Sequence, residues 1–139
     1  MKTPRTIQAA DRLGSLSEPV RLRVLLLLAA EELSVGEVAK VLQLPQSTVS
    51  RHLKVLAEAG WVGKRSVGTA TLYWMEAGEL DPGASALWEP VRASLEGSRE
   101  VAEDRERLAA VLAERPADSQ AYFGRIAGEW EDVRARPVR

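Results

Sequence analysis

The sequence predicts a mainly α-helical chain with one small β-hairpin, and three observations carry that expectation. Of the 139 residues, 45% are hydrophobic but only 5% are aromatic, and the Leu, Ala and Val that dominate favour helices packed on helices over a sandwich of strands. Apolar residues recur at helical spacing from Thr6 to Ala59. Beyond Gly60 the period changes to β-branched and aromatic runs on either side of Gly68. The length suits one compact domain with some flanking helix.

Each element follows in order. Ile7, Ala10, Leu13 and Leu16 mark a short amphipathic helix over Thr6 to Leu16, after which Ser17 and Pro19 cap and pre-shape a second helix start. That helix, Pro19 to Ala30, turns Val20, Val24, Leu27 and Leu28 inward. Leu25 and Leu26 widen its stripe until it must be nearly surrounded. Ser34 and Glu37 stand at capping-box spacing and open a third helix, with Val35, Val38, Ala39 and Leu42 on its buried side. Pro45 ends the following turn and opens a fourth helix, Gln46 to Ala59, which buries Val49, Leu53 and Leu56 and stops at Gly60. WVGKRS and TATLYW then read as a β-hairpin turning through Val67, Gly68 and Thr69. After the break at Asp81, Pro82 and Gly83, a helical segment runs to about Glu114, with Pro90 either kinking it or marking its true start. Arg115 and Pro116 end it. Tyr122, Ile126, Trp130 and Val133 outline a last amphipathic helix that Asp118 caps.

The net charge of −1 conceals an uneven distribution. From Lys40 to Met75 the bases Lys40, Arg51, Lys54, Lys64 and Arg65 face one acid, Glu58, a net +4, whereas from Glu76 onward 9 Arg face 14 acids, a net −5. A local basic footprint is what a phosphate backbone requires, because neutralising phosphates releases condensed counterions. The chain has no cysteine, which excludes disulfides, thiolate metal sites and thiol redox sensing and suits a reducing cytoplasm. The most apolar run, Val24 to Ala30, is too short to span a bilayer and lies too far along the chain for a secretory signal. A cytoplasmic protein with no membrane partner is expected. One histidine, no cysteine and no acid pair in an apolar pattern leave no evident nucleophile or general base, so no enzymatic activity is expected.

Helix, short turn, helix and hairpin is the order of a winged helix-turn-helix, whose second helix enters the major groove of duplex DNA. On that helix Ser47, Arg51 and Lys54 lie opposite the buried stripe, Gln46 and Ser50 lie beside it, and Thr48 and His52 occupy the other flank. Arg51 suits bidentate contact with guanine and Gln46 with adenine, each worth ~1–3 kcal/mol of discrimination. Lys54, Lys64 and Arg65 are better suited to phosphate. His52, the only histidine, is counted with the DNA-facing set, packing being its alternative.

SEPVRLRVLLLL, ELSVGEVAKVLQLPQSTVSRHLKVLAEAGWV and KRSVGTATLYW together resemble the ArsR/SmtB family of bacterial winged-helix repressors over roughly Ala9 to Met75. STVSRHLKVLAEAG carries that family's Ser, His-Leu and Ala-Gly landmarks in order. The resemblance implies a homodimer built from the first and last helices, with Ile7, Leu87, Val91 and Leu95 as dimer contacts rather than monomer core. It also implies a pseudo-palindromic operator whose half-sites lie one DNA turn apart, ~34 Å. The family's metal ligands are missing. Ser34 and Gly36 stand where metal sensors carry a cysteine pair, and the terminal helix has acids but no His. A small-molecule effector is compatible with such a design, and the residues do not identify one.

AERPADSQAYFGRIAGEWEDVRA resembles the linker and first helix that precede a class I methyltransferase domain in fused regulators. No Gly-rich loop follows a strand, so no S-adenosylmethionine cradle and no cofactor are expected in the chain. Two roles stay open for this segment: the start of a longer fusion in which the chain is a regulatory module, or a dimer or partner element of a stand-alone regulator. The domain reading is 1–114 for DNA binding and dimerisation, and 115–139 for linker plus helix.

Overall fold

The computed structural model describes residues 3–116. Helices α1 (Arg5–Leu16) and α2 (Pro19–Ala30) lead to a short strand β1 (Leu33–Ser34). Helices α3 (Val35–Leu42) and α4 (Gln46–Glu58) follow, then strands β2 (Gly63–Val67) and β3 (Ala70–Trp74) and helices α5 (Pro82–Leu95) and α6 (Arg99–Ala113). The expected helix at Tyr122–Val133 lies outside the described residues. No helix among the described residues is long and apolar enough to cross a membrane.

Helix α2 is the core element, as its apolar breadth requires: Val24, Leu25, Leu27 and Leu28 are all buried. Its cap differs from the expectation. Glu18, not Ser17, is the N-cap and accepts from the Val20 N–H (2.6 Å) ahead of Pro19, while Ser17 closes α1 by donating its hydroxyl to the Gly14 carbonyl (2.9 Å).

The start of α3 is the expected capping box. Ser34 Oγ accepts the Glu37 N–H (3.2 Å) and Glu37 Oε1 accepts the Ser34 N–H (3.0 Å), satisfying two otherwise orphaned donors. Gln43 takes the left-handed conformation (φ 58°), so the chain leaves α3 sharply, and Pro45 sets the start of α4. This fixes the helix-turn-helix.

Two further features depart from the sequence reading. The wing is a three-stranded antiparallel sheet in the order β1-β3-β2, because Leu33 and Ser34 pair with Tyr73 and Leu72. The acidic region is also two helices, not one: the chain breaks at Gly97, whose φ of 83° a non-glycine residue rarely adopts. Pro90 lies inside α5 without ending it. It and Ala86, whose carbonyl it cannot engage, are both exposed, so water can hydrate that carbonyl.

Helix α6 is held against α2 and α3 by a buried carboxylate. Asp104, 3% exposed, accepts from Arg23 through both oxygens (2.9 and 2.8 Å) and from Arg107 (2.8 Å), and Arg107 Nε also reaches the Val41 carbonyl (2.6 Å). Arg115 donates to both oxygens of Glu37 (2.7 and 3.1 Å) and to the Glu32 carbonyl (3.0 Å). The residue expected to begin a linker is therefore tied to the first turn of α3. Trp61 and Trp88 pack at 6.5 Å between ring centroids, joining the end of α4 to α5.

Candidate nucleic-acid interface

Helix α4 buries Val49, Leu53 and Leu56 completely, which leaves its opposite stripe to solvent. Ser47, Ser50, Arg51 and Lys54 line a groove of about 620 Å³ between this helix and the wing, closed on the far side by Lys64 and Tyr73. Lys64 and Tyr73 are directly paired across β2 and β3, so both point to the same face of the hairpin. Arg51, Lys54 and Lys64 are exposed and form no ion pair among the described residues. The one acid on the groove wall, Glu58, stands at the C-terminal end of α4.

The expected site residues divide sharply. Ser47, Ser50, Arg51, Lys54 and Lys64 are brought together. Gln46 is exposed at the first position of α4 but lies on a second groove, over Ser34, Gly36 and Lys40 of the α3 side. A Cβ on Gly36 would come within 3.3 Å of Gln46 Nε2, so that glycine admits the amide side chain. Thr48 is half-buried.

Two of the expected contact residues have partners within the chain. His52 is only 8% exposed and faces inward, its Nδ1 3.3 Å from Arg21 Nη1, so it is a packing residue. Burial holds its pKa below the ordinary imidazole value. The cations Arg21 and Arg51 act in the same direction and Glu18 opposes them. Arg65 forms a two-pronged ion pair with Glu32 (2.6 and 2.8 Å). Its guanidinium anchors the wing to the segment before β1 instead of facing the groove.

Tyr73 was not anticipated, although a two-residue turn at Gly68 and Thr69 sets the register that pairs it with Lys64. Ile7 and Leu13 of α1 are 50% and 55% exposed. Leu87 and Val91 are half-buried against the core of their own chain, and Leu95 is half-buried, so only part of each is open to another protomer. No group of three or more His, Cys, Asp or Glu placed to hold a metal occurs among the described residues.

A family model described as a helix-turn-helix domain matches residues 16–62. The chain is 39% identical over 72 residues to the HTH-type transcriptional repressor SmtB of Mycobacterium tuberculosis, a match covering 50% of this chain and 53% of that protein. It thus spans about half the length of that relative. It is 36% identical over 69 residues to the uncharacterized HTH-type transcriptional regulator MJ1325 of Methanocaldococcus jannaschii, covering 49% of this chain and 78% of that one. Among solved structures, the transcriptional repressor BigR of Xylella fastidiosa superposes with a TM-score of 0.53 at 31% identity, over 68% of this chain and 92% of that one. With the capped helix-turn-helix and the sheet behind it, these similarities place the chain in the ArsR/SmtB family of winged helix-turn-helix transcriptional regulators.

Proposed function

We propose that this chain binds duplex DNA as a homodimer and represses transcription, with α4 in the major groove and the wing on the adjoining backbone. The observation that carries this reading is the groove between α4 and β2–β3, in which Arg51, Lys54 and Lys64 converge with no carboxylate partner among the described residues. Elsewhere among the described residues most arginines are held by acids, including Arg12 by Asp81, Arg23 by Asp104 and Arg115 by Glu37. Three cations left open on one concave face supply what phosphates require. Arg51 is the candidate for base readout, from the middle of the helix. Lys54 and Lys64 are suited to backbone phosphates, with the Tyr73 hydroxyl able to donate beside them.

The dimer is supported by α1, whose Ile7 and Leu13 expose more surface than any other large apolar side chains described. Helix α1 is joined to the start of α5 through the Arg12–Asp81 pair, so Leu87, Val91 and Leu95 extend the same contact. The repressor role is supported by the similarity to the repressors SmtB and BigR, and a cytoplasmic location by the character of the family. Residues 3–116 act as one DNA-binding and dimerisation domain. The metal-sensing chemistry of the family has no counterpart at Ser34 and Gly36.

Selection of bound duplexes from a random pool tests the reading. Two half-sites about one helical turn apart are expected, with Arg51→Ala losing about 1–3 kcal/mol and relaxing the preference at one position of each half-site. Equal affinity of wild type and Arg51→Ala for the selected duplex would remove α4 as the reading element.

A further inference from the structure

Resting on that reading, we infer that Arg21 is a positioning residue for DNA readout. Its guanidinium bridges the last carbonyls of α1 to the His52 ring of α4 and so fixes the reading helix against the helix of the dimer face. Arg21 Nε donates to the Ser15 carbonyl (2.7 Å) and Nη2 to the Gly14 carbonyl (3.3 Å), which also accepts the Ser17 N–H and hydroxyl at the end of α1. Nη1 faces His52 Nδ1 at 3.3 Å. A second tie runs in parallel: Trp61 Nε1, just past the end of α4, donates to the buried Ser15 Oγ (2.7 Å). The last turn of α1 is therefore fastened to α4 through Arg21 and to the segment just past α4 through Trp61.

This geometry dictates the state of the ring. A guanidinium has only donors, so Nδ1 accepts, His52 is neutral, and its proton sits on Nε2. The charged groups around it are Glu18 and Arg21 from the start of α2 and Arg51 from α4 itself, and the two arginines oppose a proton that Glu18 favours. Protonation would turn the acceptor into a donor facing a cation and release the tie. A histidine gaining charge beside phosphates would tighten DNA binding on acidification. Here the consequence has the opposite sign, because the ring is not at the phosphates and its neutral form holds the helix in place.

The test follows operator affinity at constant ionic strength from about pH 7.5 to about pH 5.5, with nuclear magnetic resonance of the single histidine in untagged protein. Wild type is expected to weaken on acidification and to show the Nε2–H tautomer. Arg21→Met should bind about tenfold more weakly at neutral pH while remaining dimeric by sedimentation, should lose the acid dependence, and should titrate His52 at higher pH. His52→Asn keeps an oxygen acceptor near the Nδ1 position and should rescue binding without acid dependence, which decides the matter even if Arg21→Met does not fold. Wild-type binding that is insensitive to acidification, an Nδ1–H tautomer, or unchanged acid dependence in His52→Asn would overturn the inference alone. Wild type without salt-dependent DNA affinity at any pH would overturn the DNA-binding reading, and this inference with it.

Discussion

Lys64 and Arg65 are neighbours in the wing, and their roles can be separated by the salt dependence of DNA binding. Lys64 is exposed on the groove and forms no ion pair among the described residues, whereas both prongs of Arg65 lie against Glu32. With Arg51 and Lys54, the groove of each protomer offers three open cations among the described residues, six in the proposed dimer. At about −0.9 per phosphate neutralised, the logarithm of affinity should fall with the logarithm of salt at a slope of about −5, roughly a thousandfold between ~50 and ~200 mM. Lys64→Ala removes two of the six and should make the slope shallower by about 2. Arg65→Met should leave the slope unchanged and lower thermal stability instead, because Glu32, largely buried in that pair, loses its partner. Fluorescence anisotropy with a labelled operator over a series of salt concentrations measures both. If Arg65→Met reduced the slope as much as Lys64→Ala, or Lys64→Ala left it unchanged, the assignment of cations from their ion pairing would be wrong.

Asp104→Ala should cost about 3 kcal/mol, since it strips the buried acceptor from both Arg23 and Arg107; thermal unfolding should register a drop of roughly 10 °C or more. Burial would raise the pKa of Glu37, but Arg115 and Ser34 outweigh it and hold the carboxyl below its ordinary value. Its folded pKa is thus depressed, so its contribution is complete above about pH 4.5 and is lost as pH falls through the folded value. Glu37→Gln should accordingly flatten the acid limb of a stability–pH curve measured by denaturant unfolding. Leu13→Glu places a charge on the exposed apolar face of α1; sedimentation should show monomer with an unchanged circular dichroism spectrum, and operator affinity should collapse.

Much of the fold was legible because its signals are local. The bounds of α2 follow from Pro19 and its run of leucines, and the start of α3 from a serine and a glutamate three residues apart, whose hydrogen bonds close within one turn. The missed features are those decided at a distance. Leu33 and Ser34 are too few to show a strand period and become one only because Tyr73 and Leu72 pair with them. The break at Gly97 interrupts apolar spacing that continues on both sides of it, and the more conspicuous Pro90 sits harmlessly on an exposed face.

The candidate site divides in the same way. Composition shows which cations the chain carries, and tertiary pairing decides which remain open to a ligand. His52 is turned inward by Arg21, 31 residues earlier, and Arg65 is held by Glu32, 33 residues earlier. The wing nevertheless held a clue that charge counting passes over. Successive side chains on a strand point to opposite faces, so Lys64 and Arg65 could never both have faced one groove. Leu72, opposite Arg65, is wholly buried, whereas Tyr73, opposite Lys64, lines the groove. Alternation therefore turns Lys64 to the groove and Arg65 to the protein, and the Glu32 pair is the form that choice takes in the folded chain.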